Sequence, residues 1–162
     1  MQKLKIGWAS RNVSTDKPIN IPGQFHMRIS KGVIDPLYIN TLILDDGQDL
    51  VIFLSADLVV IRSGLLDEVR VAVMDRNPNI STEKIIMNAT HTHSGASHYS
   101  DSASISIKFG SSTPSVTEMP DAGIEIASGD EYRHFLAEQC ADAICEAYEN
   151  RSEGGIAYGY GY

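Results

Sequence analysis

Apolar positions recur with two different periods along this chain, and the switches between them mark out its elements. Leu4 to Ala9 is a short β-prone run carrying the single tryptophan, Trp8. Residues 14 to 32 show no period. Ser14-Thr15-Asp16-Lys17-Pro18, Pro22-Gly23 and Lys31-Gly32 punctuate them. Pro22-Gly23 suits a type II turn, in which proline sets φ and glycine supplies φ > 0. After Asp35-Pro36, Leu37 to Leu44 predicts a strand and Asp45-Asp46-Gly47-Gln48 a hairpin turn. Leu50 to Leu54 returns as a second strand of the pair, nearly continuous in apolar residues and therefore central.

The period then changes. Asp57 ends the strand, and Ser63 reads as the N-cap of a helix running to about Arg76, with Leu65, Leu66, Val69 and Val73 on one face. Asn77-Pro78-Asn79 stops it, and Lys84 to Ala89 forms another buried strand. Residues 94 to 128 hold ten serines and no helical stripe. A loop of that length, centred on 96–127, reads as a functional or mobile segment. Ser128-Gly129-Asp130 caps a strong helix whose stripe is Tyr132, Phe135, Leu136, Cys140, Ala143, Ile144, Ala147 and Tyr148. Glu153-Gly154-Gly155 ends it, and Ile156 to Tyr162 begins a strand. The expected fold is α/β, a mixed β-sheet with flanking helices in the order β-β-β-α-β-loop-α-β, forming a single domain over 1–162.

Composition narrows the function classes. At 162 residues, 43% apolar and 21% charged, the chain suits one core. Its 13 basic and 21 acidic residues leave a net charge of −8. That field opposes attraction to a phosphate backbone or an anionic membrane, so no nucleic-acid partner is expected. No apolar run reaches the length of a transmembrane helix. Met-Gln-Lys-Leu-Lys-Ile-Gly-Trp is too short and polar for a signal peptide, so the expected location is cytoplasmic. Cys140 and Cys145, five apart on a helix, lie about 140° apart around it, so they neither pair nor share a metal. They read as small buried residues.

The candidate chemistry lies in Thr90-His91-Thr92-His93-Ser94-Gly95. In extended backbone, residues i and i+2 share a face, so His91 and His93 can reach one metal ion such as Zn2+. Thr90 and Thr92 point the other way, and Ser94-Gly95 turns the chain off the strand. The plainer reading makes the two histidines structural, because a stable site needs a third protein ligand. His98 is a candidate for it, though its place in the serine-rich loop favours a solvated side chain. His26 and His134 read as surface or packing residues. Asp57 either orients a ligating imidazole or serves as a turn or cap residue. Ser94 lacks the Gly-x-Ser-x-Gly setting of a nucleophile. His-x-His-x-Asp-His, the metallo-β-lactamase pattern, is excluded because positions 95 and 96 are Gly and Ala.

Asn88-Ala89-Thr90-His91-Thr92-His93-Ser94-Gly95 resembles the Thr-His-Thr-His-Ser-Gly motif of the neutral/alkaline non-lysosomal ceramidase family. The flanking order is similar too: Ile6-Gly7-Trp8-Ala9, the Pro22-Gly23 turn, Ile34-Asp35-Pro36-Leu37-Tyr38, and Leu54-Ser55-Ala56-Asp57-Leu58. The resemblance implies zinc held by His91 and His93 and hydrolysis of an N-acyl amide, which is ceramide in characterised members. The family's other ligands (a His, a Glu and a Tyr), its serine nucleophile and its Asn-Arg element match no position up to Tyr162. The catalytic residues are therefore unknown. The chain is expected to be the N-terminal part of a longer catalytic domain, inactive alone. Ala96 departs from the family's usual proline. The rival expectation is a non-catalytic module that binds metal weakly, or that self-associates through the edge of its C-terminal strand.

Overall fold

Burial alternates residue by residue along the first two strands, so one face of the sheet is covered and the other is not. In the computed structural model, which describes residues 3–23, 28–99 and 125–161, the strands are β1 (Lys5–Asn12), β2 (Tyr38–Asp45), β3 (Leu50–Ala56), β4 (Ile85–Ala89) and β5 (Ser152–Glu153). The helices are α1 (Ser63–Arg76), between β3 and β4, and α2 (Gly129–Glu149), between β4 and β5. The fold is thus α/β, with the expected element order. The sheet runs β4-β3-β2-β1-β5. β4 is parallel to β3, and the other pairings are antiparallel.

Registered rows cross the sheet on its inner face. Gly7, Ile43, Ile52 and Ile85 form one row, and Ala9, Thr41, Leu54 and Met87 the next. Leu65, Val69, Ala72 and Val73 of α1 and Leu136, Cys140, Ile144 and Ala147 of α2 complete the same core. α2 lies along β1 and β2 and beside α1, so both helices cover one face. Tyr132 is buried and donates its hydroxyl to the Val13 carbonyl at 2.7 Å. Burial raises its pKa, as it raises that of the buried Cys140 thiol to about 12. Both cysteines are free.

The central hairpin turns as predicted. Asp46 accepts the Gln48 and Asp49 N–H groups at 2.9 Å each, and Gly47 sits at φ 82°. Those donors hold the Asp46 carboxyl below its usual pKa.

Elsewhere the boundaries shift, for local reasons. α1 is preceded by Arg62, and Ser63 is its first helical residue, so the expected serine cap is absent. Ser128 does cap α2, accepting the Glu131 N–H at 3.0 Å. α2 ends at Glu149 rather than at Glu153-Gly154-Gly155, because Ser152 and Glu153 pair with Ile6 and Lys5. The last strand therefore lies ahead of the expected run, and residues 154–161 carry no strand. On α2, Phe135 is 38% exposed, off the buried stripe in which it was expected. Of the serine-rich loop, residues 100–124 lie outside the described residues, while Ala96, Ser97 and His98 are buried. No helix among the described residues is long and apolar enough to cross a membrane.

One contact between layers has no tolerance. A Cβ on Gly7 would lie 1.8 Å from the Ala147 carbonyl oxygen and 2.9 Å from the Arg151 side chain. β1 and α2 thus touch backbone to backbone. Gly7→Ala is expected to force them apart and cost about 2 kcal/mol or more, the scale of core overpacking, read as a lowered urea midpoint. An unchanged midpoint would show that this approach is looser than described.

Candidate metal centre

β3 and β4 are parallel and end together, so their C-terminal ends open on one side of the sheet. Here the Asp57 carboxylate accepts the Tyr38 N–H at 2.9 Å and the Thr90 hydroxyl at 3.1 Å. The Thr90 N–H reaches the Ala56 carbonyl at 3.0 Å. These bonds carry the β3–β4 pairing one residue past the strands and fix where the histidine segment leaves the sheet.

The histidines converge, but not by extended geometry. β4 ends at Ala89, and His91 has φ 61°, the left-handed region that a bulky L-residue seldom occupies. The His91 Nδ1 lies 2.7 Å from the Val59 carbonyl oxygen. A carbonyl only accepts, so Nδ1 carries the proton and Nε2 keeps its lone pair. That Nε2 is 3.5 Å from the His93 Nε2, with the rings edge to face at 83°. Two nitrogens bound to one tetrahedral zinc at about 2.0–2.1 Å would lie roughly 3.3–3.4 Å apart. The observed spacing suits a shared cation, and it equally suits an N–H···N contact between neutral rings. Both histidines are exposed on this side.

The surroundings position the second imidazole. The Pro22-Gly23 turn places Gly23 at φ 97°, and a Cβ there would lie 2.4 Å from the His93 Nδ1. Only glycine satisfies both the turn and the ring beside it. Arg28 donates to the His93 carbonyl at 2.6 Å and to the Pro22 carbonyl at 3.3 Å, binding the turn to the histidine segment. Gly95 packs against the Asp57 carbonyl, 2.7 Å from where a Cβ would sit. The Thr92 hydroxyl accepts the Ser94 N–H at 3.3 Å.

Of the residues singled out in the sequence, His91 and His93 come together. The oxygens of Asp57 go to Tyr38 and Thr90, and Val59 supplies the carbonyl that meets His91. His134 sits on the exposed face of α2, 2.8 Å from Glu68. His26 lies outside the described residues. Among the described residues no group of three His, Cys, Asp or Glu side chains is placed to hold a metal. Val59 and Arg28 were not foreseen. A backbone carbonyl leaves no trace in sequence, and an arginine in an irregular stretch carries no spacing signal.

His98 overturns the expectation of a solvated side chain. It is fully buried, its Nε2 accepting the Arg62 N–H at 3.3 Å and its ring edge-on to Tyr99 at 5.2 Å. The Arg62 guanidinium covers Tyr99 at 4.8 Å, so the segment following the histidine motif is pinned to the start of α1. Burial, reinforced by Arg133 and Arg62, depresses the His98 pKa from 6.5 to about 4. Between those values the unfolded chain binds a proton that the folded chain refuses. Stability is therefore intact above pH 6.5, falls as pH drops, and levels off below about pH 4. Wild type is expected to lose up to about 3 kcal/mol more than His98→Gln across this window. Urea titrations at several pH values check it, and parallel profiles for the two proteins would sink the assignment.

The fold has solved counterparts. A neutral ceramidase from Pseudomonas aeruginosa superposes with a TM-score of 0.69 at 14% identity, over 95% of this chain and 23% of that one. A ceramidase complexed with C2 gives 0.67 at 14% identity, over 95% of this chain and 22% of its own. No protein-family model and no curated protein matches the sequence. The chain spans less than a quarter of the ceramidase chains whose fold it shares.

Proposed function

We propose that this chain is one wall of the active site of a zinc-dependent amide hydrolase resembling neutral ceramidase, and that it contributes His91 and His93 to the metal. The observation that carries this reading is the pair of Nε2 atoms 3.5 Å apart, one of them presented by an Nδ1 already committed to Val59. A carbonyl partner of that kind fixes the tautomer and aims the lone pair, the usual arrangement behind a metal-bound imidazole. The shared fold and the Thr-His-Thr-His-Ser-Gly motif support the reading.

When bound, zinc would supply a Lewis acid for an amide carbonyl and lower the pKa of bound water. The residues of this chain have positional roles. Val59 holds the protonated Nδ1 of His91, Gly23 leaves room for the His93 ring, and Arg28 ties the His93 backbone to the Pro22-Gly23 turn. The remaining ligands and the attacking group come from polypeptide outside the described residues. The substrate class is an N-acyl amide, ceramide being the example that the resemblance implies.

Zinc binding is expected at micromolar or tighter affinity by calorimetry. His91→Ala should abolish it, and His93→Ala should weaken it at least tenfold. The 162-residue chain alone should release no fatty acid from an N-acyl amide above background. Substantial turnover would overturn the partial-site reading. Absent zinc binding in wild type would favour the second reading, in which the 3.5 Å contact is an N–H···N bond in a non-catalytic module.

A further inference from the structure

Two chain segments meet at the His91 ring, and one side-chain bond ties them together behind it. The first is Asp57-Leu58-Val59, which leaves β3 and ends on the carbonyl facing the His91 Nδ1 at 2.7 Å. Its course is fixed from below. The Asp57 N–H goes to the Tyr38 carbonyl at 2.9 Å and the Leu58 N–H to the Ala56 carbonyl at 2.8 Å, while the Leu58 and Val59 side chains are buried. The second segment is Thr90-His91, which leaves β4. Thr90 is held twice, by its N–H on the Ala56 carbonyl at 3.0 Å and by its hydroxyl on the Asp57 carboxylate at 3.1 Å. These contacts close a small ring. It runs from Asp57 through Leu58 to the Val59 carbonyl, across to the His91 imidazole, back one residue to Thr90, and through the hydroxyl to the Asp57 carboxylate.

We infer that Asp57 and Thr90 are positioning residues for His91: their bond closes this ring and thereby selects the imidazole form with the proton on Nδ1 and a bare Nε2. The Asp57 carboxylate does not act on the imidazole directly. One of its oxygens takes the Thr90 hydroxyl and the other the Tyr38 N–H. With Thr90 held at backbone and side chain, the His91 backbone turns the ring toward Val59, and it does so at φ 61°. A left-handed φ persists in a non-glycine residue only where its surroundings over-determine it. The Asp57–Thr90 bond is the part of those surroundings one residue away. A neutral imidazole in water exchanges between two tautomers, and the bond that one nitrogen makes selects between them. Here that bond is to Val59, and it is made because Thr90 is fixed. The consequence for zinc rests on the metal-site reading proposed above, whereas the tautomer is a property of the metal-free chain.

Nitrogen NMR of the metal-free, isotope-labelled 162-residue chain, at a pH where the histidines are neutral, reads the tautomer of His91 directly. Wild type should show the Nδ1-protonated form. Thr90→Val removes the hydroxyl at nearly constant shape and should move the His91 nitrogens toward the averaged shifts of mixed tautomers. Thr90→Ser keeps the hydroxyl and should restore the wild-type pattern. Asp57→Ala should match Thr90→Val, and the double variant should go no further, because both changes remove one bond. Thr90 is exposed and lies past the end of β4, so the thermal transition of Thr90→Val should be retained. Calorimetry should show zinc bound about tenfold more weakly by Thr90→Val than by wild type, the scale of losing a group that orients a metal-bound imidazole. A wild-type His91 of mixed tautomers overturns the inference. So does a Thr90→Val that keeps the wild-type tautomer, or a Thr90→Ser that shifts as far as Thr90→Val. A tautomer that responds as expected in a chain that binds no zinc supports the positioning role and overturns the metal-site reading instead.

Discussion

One carboxylate ties together the end of the sheet from which the candidate histidine segment departs. Asp57 takes the Tyr38 N–H, where β2 begins, and the Thr90 hydroxyl, just past β4, while its own N–H goes to the Tyr38 carbonyl. Three segments distant in sequence are thereby held in one register. An acidic side chain at the end of a strand would otherwise compete with the ladder for backbone donors. Here it completes the ladder. The Gly95 backbone then lies directly against the Asp57 carbonyl, closing the histidine segment over the same residue.

That arrangement explains which features were legible in the sequence. The β-prone run Leu37 to Leu44 and the helical stripe around Leu136 and Ile144 are local signals, and the structure follows them. The Ser128 cap and the Asp46-Gly47 turn are also local, each a side chain bonding backbone two or three residues away. Ser63 failed as a cap because the start of α1 is set from outside the helix, by His98 and Tyr99 packing on Arg62. The same contact hid the burial of His98, whose setting among serines suggested water. The end of α2 was misread because a two-residue pairing with β1 competes with helix propensity there.

The candidate centre was legible in its residues and not in its geometry. His-x-His suggested a pair on one face of a strand. In an extended run, Cα atoms two residues apart lie about 6.6 Å from each other, and their side chains stand roughly parallel. Parallel imidazoles at that spacing do not bring their Nε2 atoms to 3.5 Å. The left-handed turn at His91 removes the need for a long strand and rotates one ring toward the other. What holds the turn is a backbone carbonyl, Val59, and what admits the second ring is a glycine, Gly23. Both belong to segments that sequence reading treats as connections.

The conformation of His91 carries an energetic argument of its own. A non-glycine residue at φ 61° costs on the order of 1–2 kcal/mol relative to an extended or right-handed one. The 2.7 Å bond to Val59 and the pinned segments on either side maintain it. If the histidines served only to end a strand, an asparagine or glycine at this position would do so with less strain. What only a histidine supplies here is a second ring nitrogen, left with a free lone pair by the bond the first one makes. Among the described residues, the left-handed non-glycine backbone thus stands at a position where the proposed reading needs an oriented ring nitrogen.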